Sequence, residues 1–160
     1  MAGAGLPLHP ALEPIAFMLG RWRGEGEGGY PTINSFRYVE EITLSHAGKP
    51  AMAYVQKTWR AESGEPMHAE SGFWRPRPDG SLEIVIAQST GLAEVQKGAY
   101  NAEAKTISVE SELVGNATKV RRIVRQFRLE GDGTLAYTVD METNTQPLQK
   151  HLDARLKRVE

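Results

Sequence analysis

From Gly20 onward, apolar and polar residues alternate with a period of two, the spacing of strands whose side chains point to opposite faces. Tyr38, Glu40, Ile42 and Leu44 alternate with Arg37, Val39, Glu41 and Thr43. Leu135, Tyr137, Val139 and Met141 form an apolar face against Thr134, Ala136, Thr138 and Asp140. In the strand after Pro66, Met67, Ala69, Ser71 and Phe73 share one face, and His68, Glu70, Gly72 and Trp74 the other. Further strands read over 52–55, 82–87, 92–100, 106–114, 120–129 and 151–159. Turn signals such as Ala47-Gly48-Lys49-Pro50, Ser63-Gly64-Glu65-Pro66, Asp79-Gly80 and Gly131-Asp132-Gly133 separate them, about a dozen residues apart. The pattern predicts an all-β chain of about ten strands joined as hairpins. A meander that long exposes two edges unless it closes, so the expected fold is an antiparallel up-and-down β-barrel. A barrel of this size is wider than side chains alone fill, and a ligand is expected inside. Ahead of it, Pro10 to Leu19 reads as one short helix, a lid or plug. Residues 1–8 read as a loose tail and residues 9–160 as one domain.

The first strand is unusual. Gly20, Trp22, Gly24, Gly26, Gly28 and Tyr30 fall on one face, and Arg21, Arg23, Glu25, Glu27 and Gly29 on the other. Bare backbone on an inner face either makes room for a ligand or lets a small barrel bend tightly, and bending is slightly favoured here. Gly24-x-Gly26-x-x-Gly29 matches a dinucleotide fingerprint in letters only. Tyr30-Pro31-Thr32 follows in place of a helix, and Glu25 and Glu27 would repel a pyrophosphate. No Lys-Ser or Lys-Thr pair follows for a phosphate-cradling loop.

Composition narrows the chemistry. The 160 residues carry a net charge of −1 and 40% hydrophobics, as a folded domain does and a nucleic-acid-binding surface does not. With no cysteine, disulfides, thiolate metal sites and cysteine nucleophiles are excluded, which fits a reducing, cytoplasmic setting. The apolar run 11–19 is too short to span a bilayer, so no membrane association is expected. Glu40, Glu41, Glu70, Glu94, Glu110 and Glu112 are spread over separate strands and read mostly as solvated outer faces. Of the four histidines, His9, His46, His68 and His151, no two have metal-pair spacing within one element. His68 and His151 are the candidates for a functional role. An interior holding Met67, Met141, Phe36 and Trp22 near one histidine would suit a flat apolar cofactor such as haem. A carrier of fatty acid or tetrapyrrole is the alternative, with Arg121, Arg122 and Arg125 as candidate carboxylate partners. A cavity-bearing interaction module is a third, weaker reading.

Several stretches together resemble one family. Gly20-x-Trp22-x-Gly24-x-Gly26-x-Gly28-x-Tyr30-Pro31-Thr32-Ile33, Ser45-His46-x-Gly48-Lys49-Pro50, Pro66-Met67-His68-Ala69-Glu70-Ser71-Gly72, Ala87-Gln88-Ser89-Thr90-Gly91 and Pro147-Leu148-Gln149-x-His151-Leu152 are similar to the nitrobindins, in order, over residues 9 to 158. The resemblance implies a ten-stranded barrel of lipocalin or fatty-acid-binding-protein type with one non-covalent ferric haem b per chain. It implies His151 as axial iron ligand, Thr32 and Lys119 as haem contacts, and Met67, His68, Gln88 and Met141 as cavity lining. It implies reversible nitric oxide binding and isomerisation of peroxynitrite to nitrate. The expected assembly is a monomer or weak homodimer, since an exposed haem edge permits a dimer without requiring one. Strand parity raises one conflict. Leu152, Ala154 and Leu156 share a face that excludes His151. Either a bulge resets the phase, or His151 lies at the rim beside an exposed haem edge, or the leucine face packs outside against the helix. The rim position is the favoured expectation.

Overall fold

The computed structural model describes residues 5–159. Ten antiparallel strands close on themselves, each paired to its chain neighbour and β1 to β10. They are β1 (Gly20–Tyr30), β2 (Ile33–His46), β3 (Met52–Arg60), β4 (Pro66–Pro76), β5 (Ser81–Gln88), β6 (Ala93–Asn101), β7 (Thr106–Gly115), β8 (Val120–Leu129), β9 (Leu135–Thr143) and β10 (Gln149–Arg158). The barrel, its strand number and its hairpin order agree with the alternation and turn signals of the sequence. Closure pairs both edges of the meander and leaves no open one. No helix among the described residues is long and apolar enough to cross a membrane.

The segment Pro10–Met18 is a 3₁₀ helix. Its tighter winding brings Leu12, Ile15 and Met18 to one side, where they are fully buried in the same core cluster as Trp22, Leu44, Met52, Trp74 and Leu82. Trp22 Nε1 donates to the Met18 carbonyl at 3.0 Å, which fastens the helix to β1. The helix is thus the expected plug, at the end of the barrel where β1 begins. Of the expected tail, residues 1–4 lie outside the described residues, and Leu8 already packs on the core.

The glycine face of β1 points inward. A Cβ on Gly26 would lie 2.5 Å from the Tyr38 ring, and one on Gly28 would lie 2.3 Å from the Phe36 ring. The bare backbone therefore makes room for aromatic rings of the neighbouring strand, lying flat across β1. Neither a ligand nor bending alone explains it.

Regular pairing fails at five places. Two of these lie beside histidines. Between β10 and β9 the register runs Lys150↔Asp140 and then Leu152↔Val139, so His151 is an extra residue. Between β3 and β4 it runs Thr58↔His68 and then Trp59↔Pro66, so Met67 is extra. Such bulges re-aim side chains beside functional sites.

Candidate functional site

A cavity opens at the end opposite the plug, where the odd-numbered strands turn into the even-numbered ones. The cavity volume is about 180 Å³. Each bulge sets two consecutive residues into its wall: His151 with Leu152, and Met67 with His68. The parity conflict at His151 is thereby resolved by a bulge. Leu152 lines the cavity and Ala154 and Leu156 belong to the barrel core, so the leucine face is interior. Of the residues expected at the site, Phe36, Met67, His68, Gln88, Met141 and His151 line this cavity. Thr32 and Lys119 do not; both are exposed, on the β1–β2 and β7–β8 turns at the same end of the barrel.

His151 is held in one orientation. Its Nδ1 lies 3.0 Å from the Gly29 carbonyl oxygen. A carbonyl only accepts, so Nδ1 carries the proton and Nε2 keeps its lone pair. Tyr30 braces the ring edge-on, at 5.6 Å between centroids and 83° between planes, and its own hydroxyl donates to the Met141 carbonyl at 2.9 Å. Burial lowers the imidazole pKa; the Gly29 carbonyl opposes this and the nearby His68 adds to it. The result is a neutral imidazole with Nε2 bare, the form that binds a metal. The far end of the glycine strand thus orients the histidine, a link that neither motif announces by itself.

His68 differs. Its Nε2 lies 2.9 Å from Glu70 Oε1, so Nε2 carries the proton and Nδ1 is the unpaired nitrogen.

Below the apolar walls, the cavity floor is a buried polar cluster. Arg125 Nη1 and Nη2 reach Glu70 at 2.7 and 3.3 Å, and its Nε and Nη2 reach Glu94 at 3.1 and 2.5 Å. Arg125 Nη1 also donates to the Tyr137 hydroxyl, Tyr54 donates to Glu70, and Gln88 and Gln96 donate to Glu94. Glu40 accepts from Gln56 at 2.8 Å and leaves its other oxygen without a partner. Glu40, Glu70 and Glu94 are 1%, 5% and 0% exposed, which corrects their expected place on solvated outer faces. A saturated guanidinium between two of them makes burial tolerable. Strand parity carried the signal, since Glu40 alternates in phase with Tyr38 and Ile42, and Glu70 with Trp74.

The same cluster bears on the carrier alternative. Of its three candidate arginines, Arg121 is exposed, Arg122 pairs with Glu110 at 2.9 Å, and Arg125 has every donor committed to side chains of the chain itself. None is left to receive the carboxylate of a fatty acid. Among the described residues no group of three or more His, Asp or Glu could hold a bare metal ion.

Comparison with known proteins agrees with this architecture. Residues 11–158 match the family described as THAP4-like, heme-binding beta-barrel domain. The chain belongs to that family. A protein of Arabidopsis thaliana named peroxynitrite isomerase is 61% identical over 157 residues, covering 98% of this chain and 94% of the relative. Peroxynitrite isomerase 1 of Mycolicibacterium paratuberculosis is 44% identical, covering 94% of this chain and 96% of the relative. The crystal structure of Rv2717c from M. tuberculosis superposes with a TM-score of 0.86 at 37% identity, over 96% of this chain and all of that one. The nitrobindin resemblance read from the motifs is thus confirmed across the family's whole barrel.

Proposed function

We propose that this chain binds one b-type ferric haem through His151 Nε2 and isomerises peroxynitrite to nitrate, with nitric oxide as a second ligand of the same iron. The observation that carries the reading is the His151–Gly29 hydrogen bond, which fixes the proton on Nδ1 and leaves Nε2 bare in the cavity wall. The surroundings fit the group. Phe36, Met67, Ile123, Val139, Met141 and Leu152 give the walls an apolar lining for a porphyrin. Thr32 and Lys119, exposed on turns at the same end of the barrel, are the proposed contacts for its polar edge. The name shared by the curated relatives supports peroxynitrite as substrate.

Held by His151, a ferric haem would supply Lewis-acid chemistry toward a peroxo oxygen. The chain's own part is to orient the ligand imidazole through Gly29 and Tyr30, to exclude bulk water with the apolar walls, and to confine substrate and product. No compartment is dictated by the fold; a cytoplasmic location remains the proposal drawn from the lack of cysteines.

Hemin titration with absorption spectroscopy tests the reading. The wild-type protein is expected to give a Soret band of stoichiometry one, and His151→Ala to lose it. An unchanged band in the variant would sink His151 as ligand.

A further inference from the structure

The buried cluster is one positive charge short. Every oxygen of Glu70 and Glu94 faces N–H or O–H donors, the arrangement of ionised carboxylates. Against these two negative charges stands a single guanidinium, Arg125. His68 is the one side chain joined to the cluster that can supply the missing charge and also reach the cavity. Its Nε2 is tied to Glu70, and no hydrogen bond reaches Nδ1 among the described residues. The side chain is 28% exposed and lines the cavity, while its anchor, Glu70, is at 3%.

We infer that His68 is the proton carrier of this site: its Nδ1 takes the proton of peroxynitrous acid and holds the resulting anion by an imidazolium N–H. This rests on the proposed isomerase activity. Peroxynitrous acid and its anion coexist near neutral pH, whereas nitrate is unprotonated there. Isomerisation of the acid therefore has to release one proton. Neutral His68 accepts the substrate's O–H proton at Nδ1, the anion isomerises to nitrate, and the imidazolium returns the proton to solvent. Atoms and charge balance, and no oxidant or reductant is consumed.

The order of parts is that of an oriented base: a carboxylate fixes the tautomer and stabilises the imidazolium. Here Arg125 in turn fixes the carboxylate. The charged and titratable groups around His68 are Glu70 on its own strand, Tyr54 on β3, Glu40 on β2, Glu94 on β6, Arg125 on β8, Tyr137 on β9 and His151 on β10. Burial lowers the pKa of His151 and keeps its ring neutral. Among the described residues no hydrogen bond or ring contact joins His68 to His151, and the link between them is charge alone, His68 adding to the lowering of the His151 pKa.

Two measurements decide. In the protein before haem is added, ¹⁵N NMR is expected to find neutral His68 protonated at Nε2, and Glu70→Gln to mix the tautomers. In the hemin-loaded protein, His68→Gln keeps an N–H donor for Glu70 but cannot carry a proton. Its Soret band is expected to match wild type, while the isomerisation rate near pH 7 falls about 100-fold, at the low end of general acid–base contributions. Its rate should simply rise with ionisation of the substrate, whereas the wild-type profile is expected to be bell-shaped. A wild-type rate and profile in His68→Gln, or a proton on Nδ1 of the neutral ring, would overturn the role. A wild-type protein that binds hemin but leaves peroxynitrite unchanged would overturn the activity itself, and the wild-type rate alone distinguishes the two failures.

Discussion

Glu40 and Glu70 show how far a residue's neighbours decide its chemistry. For both, burial is the largest influence and favours the neutral acid. At Glu40 it prevails: the single hydrogen bond from Gln56 is too little, the charge of Glu70 adds to the push, and the carboxyl rises to about 7. At Glu70 the charge of Arg125 and hydrogen bonds from His68 and Arg125 override burial and bring it down to about 2. The signs for stability are opposite. Glu40, with a folded value above the usual 4.5, contributes stability in acid that is lost as pH rises through 7. Glu70 contributes above about 4.5 and loses it as pH falls toward 2. Glu40→Gln is therefore expected to leave the melting temperature unchanged near pH 4. Above pH 8 it should raise it, by up to about 3 kcal/mol in unfolding free energy. Thermal melts across that range check it. The surface preference of glutamate hid both residues in the sequence. Their strand phase, shared with Tyr38, Ile42 and Trp74, is what exposes them.

At the scale of an element, alternation predicts that a strand exists and which side chains share a face, but not where pairing slips. The ten strands were legible because each inner face packs against the same core and every turn but the one between β6 and β7 carries its own glycine, proline or asparagine. The bulges were not, because an extra residue costs one unpaired backbone step and leaves no compositional mark. The clash between His151 and the leucines of β10 was the one trace, and it pointed to the right place. Deleting Lys150 tests what the bulge does. With one residue fewer, β10 pairs with β9 in plain register, and His151 moves to the face opposite Leu152. The shortened protein is expected to keep the circular dichroism of the barrel and to lose hemin binding, as judged by the Soret band. A retained Soret band would mean that the bulge does not aim the histidine. The same distinction separates the site residues: those at Phe36, Met67, His68, Gln88, Met141 and His151 meet in one cavity, while Thr32 and Lys119 belong to turns, whose side chains strand parity does not place.

Across the whole molecule, Arg125 joins Glu70 of β4, Glu94 of β6 and Tyr137 of β9 through the barrel's interior. Replacing it by Leu would leave two buried carboxylates facing each other, and the expected loss is about 3–5 kcal/mol. In a chain of this length that is roughly a 6–20 °C lower melting temperature. The loss should shrink in acid, where the freed carboxylates are neutral, and Glu70→Gln with Glu94→Gln should restore part of it at neutral pH. A variant as stable as wild type at pH 7 would show that the cluster serves chemistry alone. The plug and the cavity lie at opposite ends of the barrel, with this cluster between them. In evolutionary terms the molecule is divided into two territories. Substitutions around Leu12, Ile15, Met18 and Trp22 are judged by whether the chain folds at all. Those around Met67, Leu92, Val120 and Met141, on the far side of a fixed polar floor, are judged by what the cavity admits. A lineage could therefore exchange its ligand by altering the mouth and inherit its foundation unchanged.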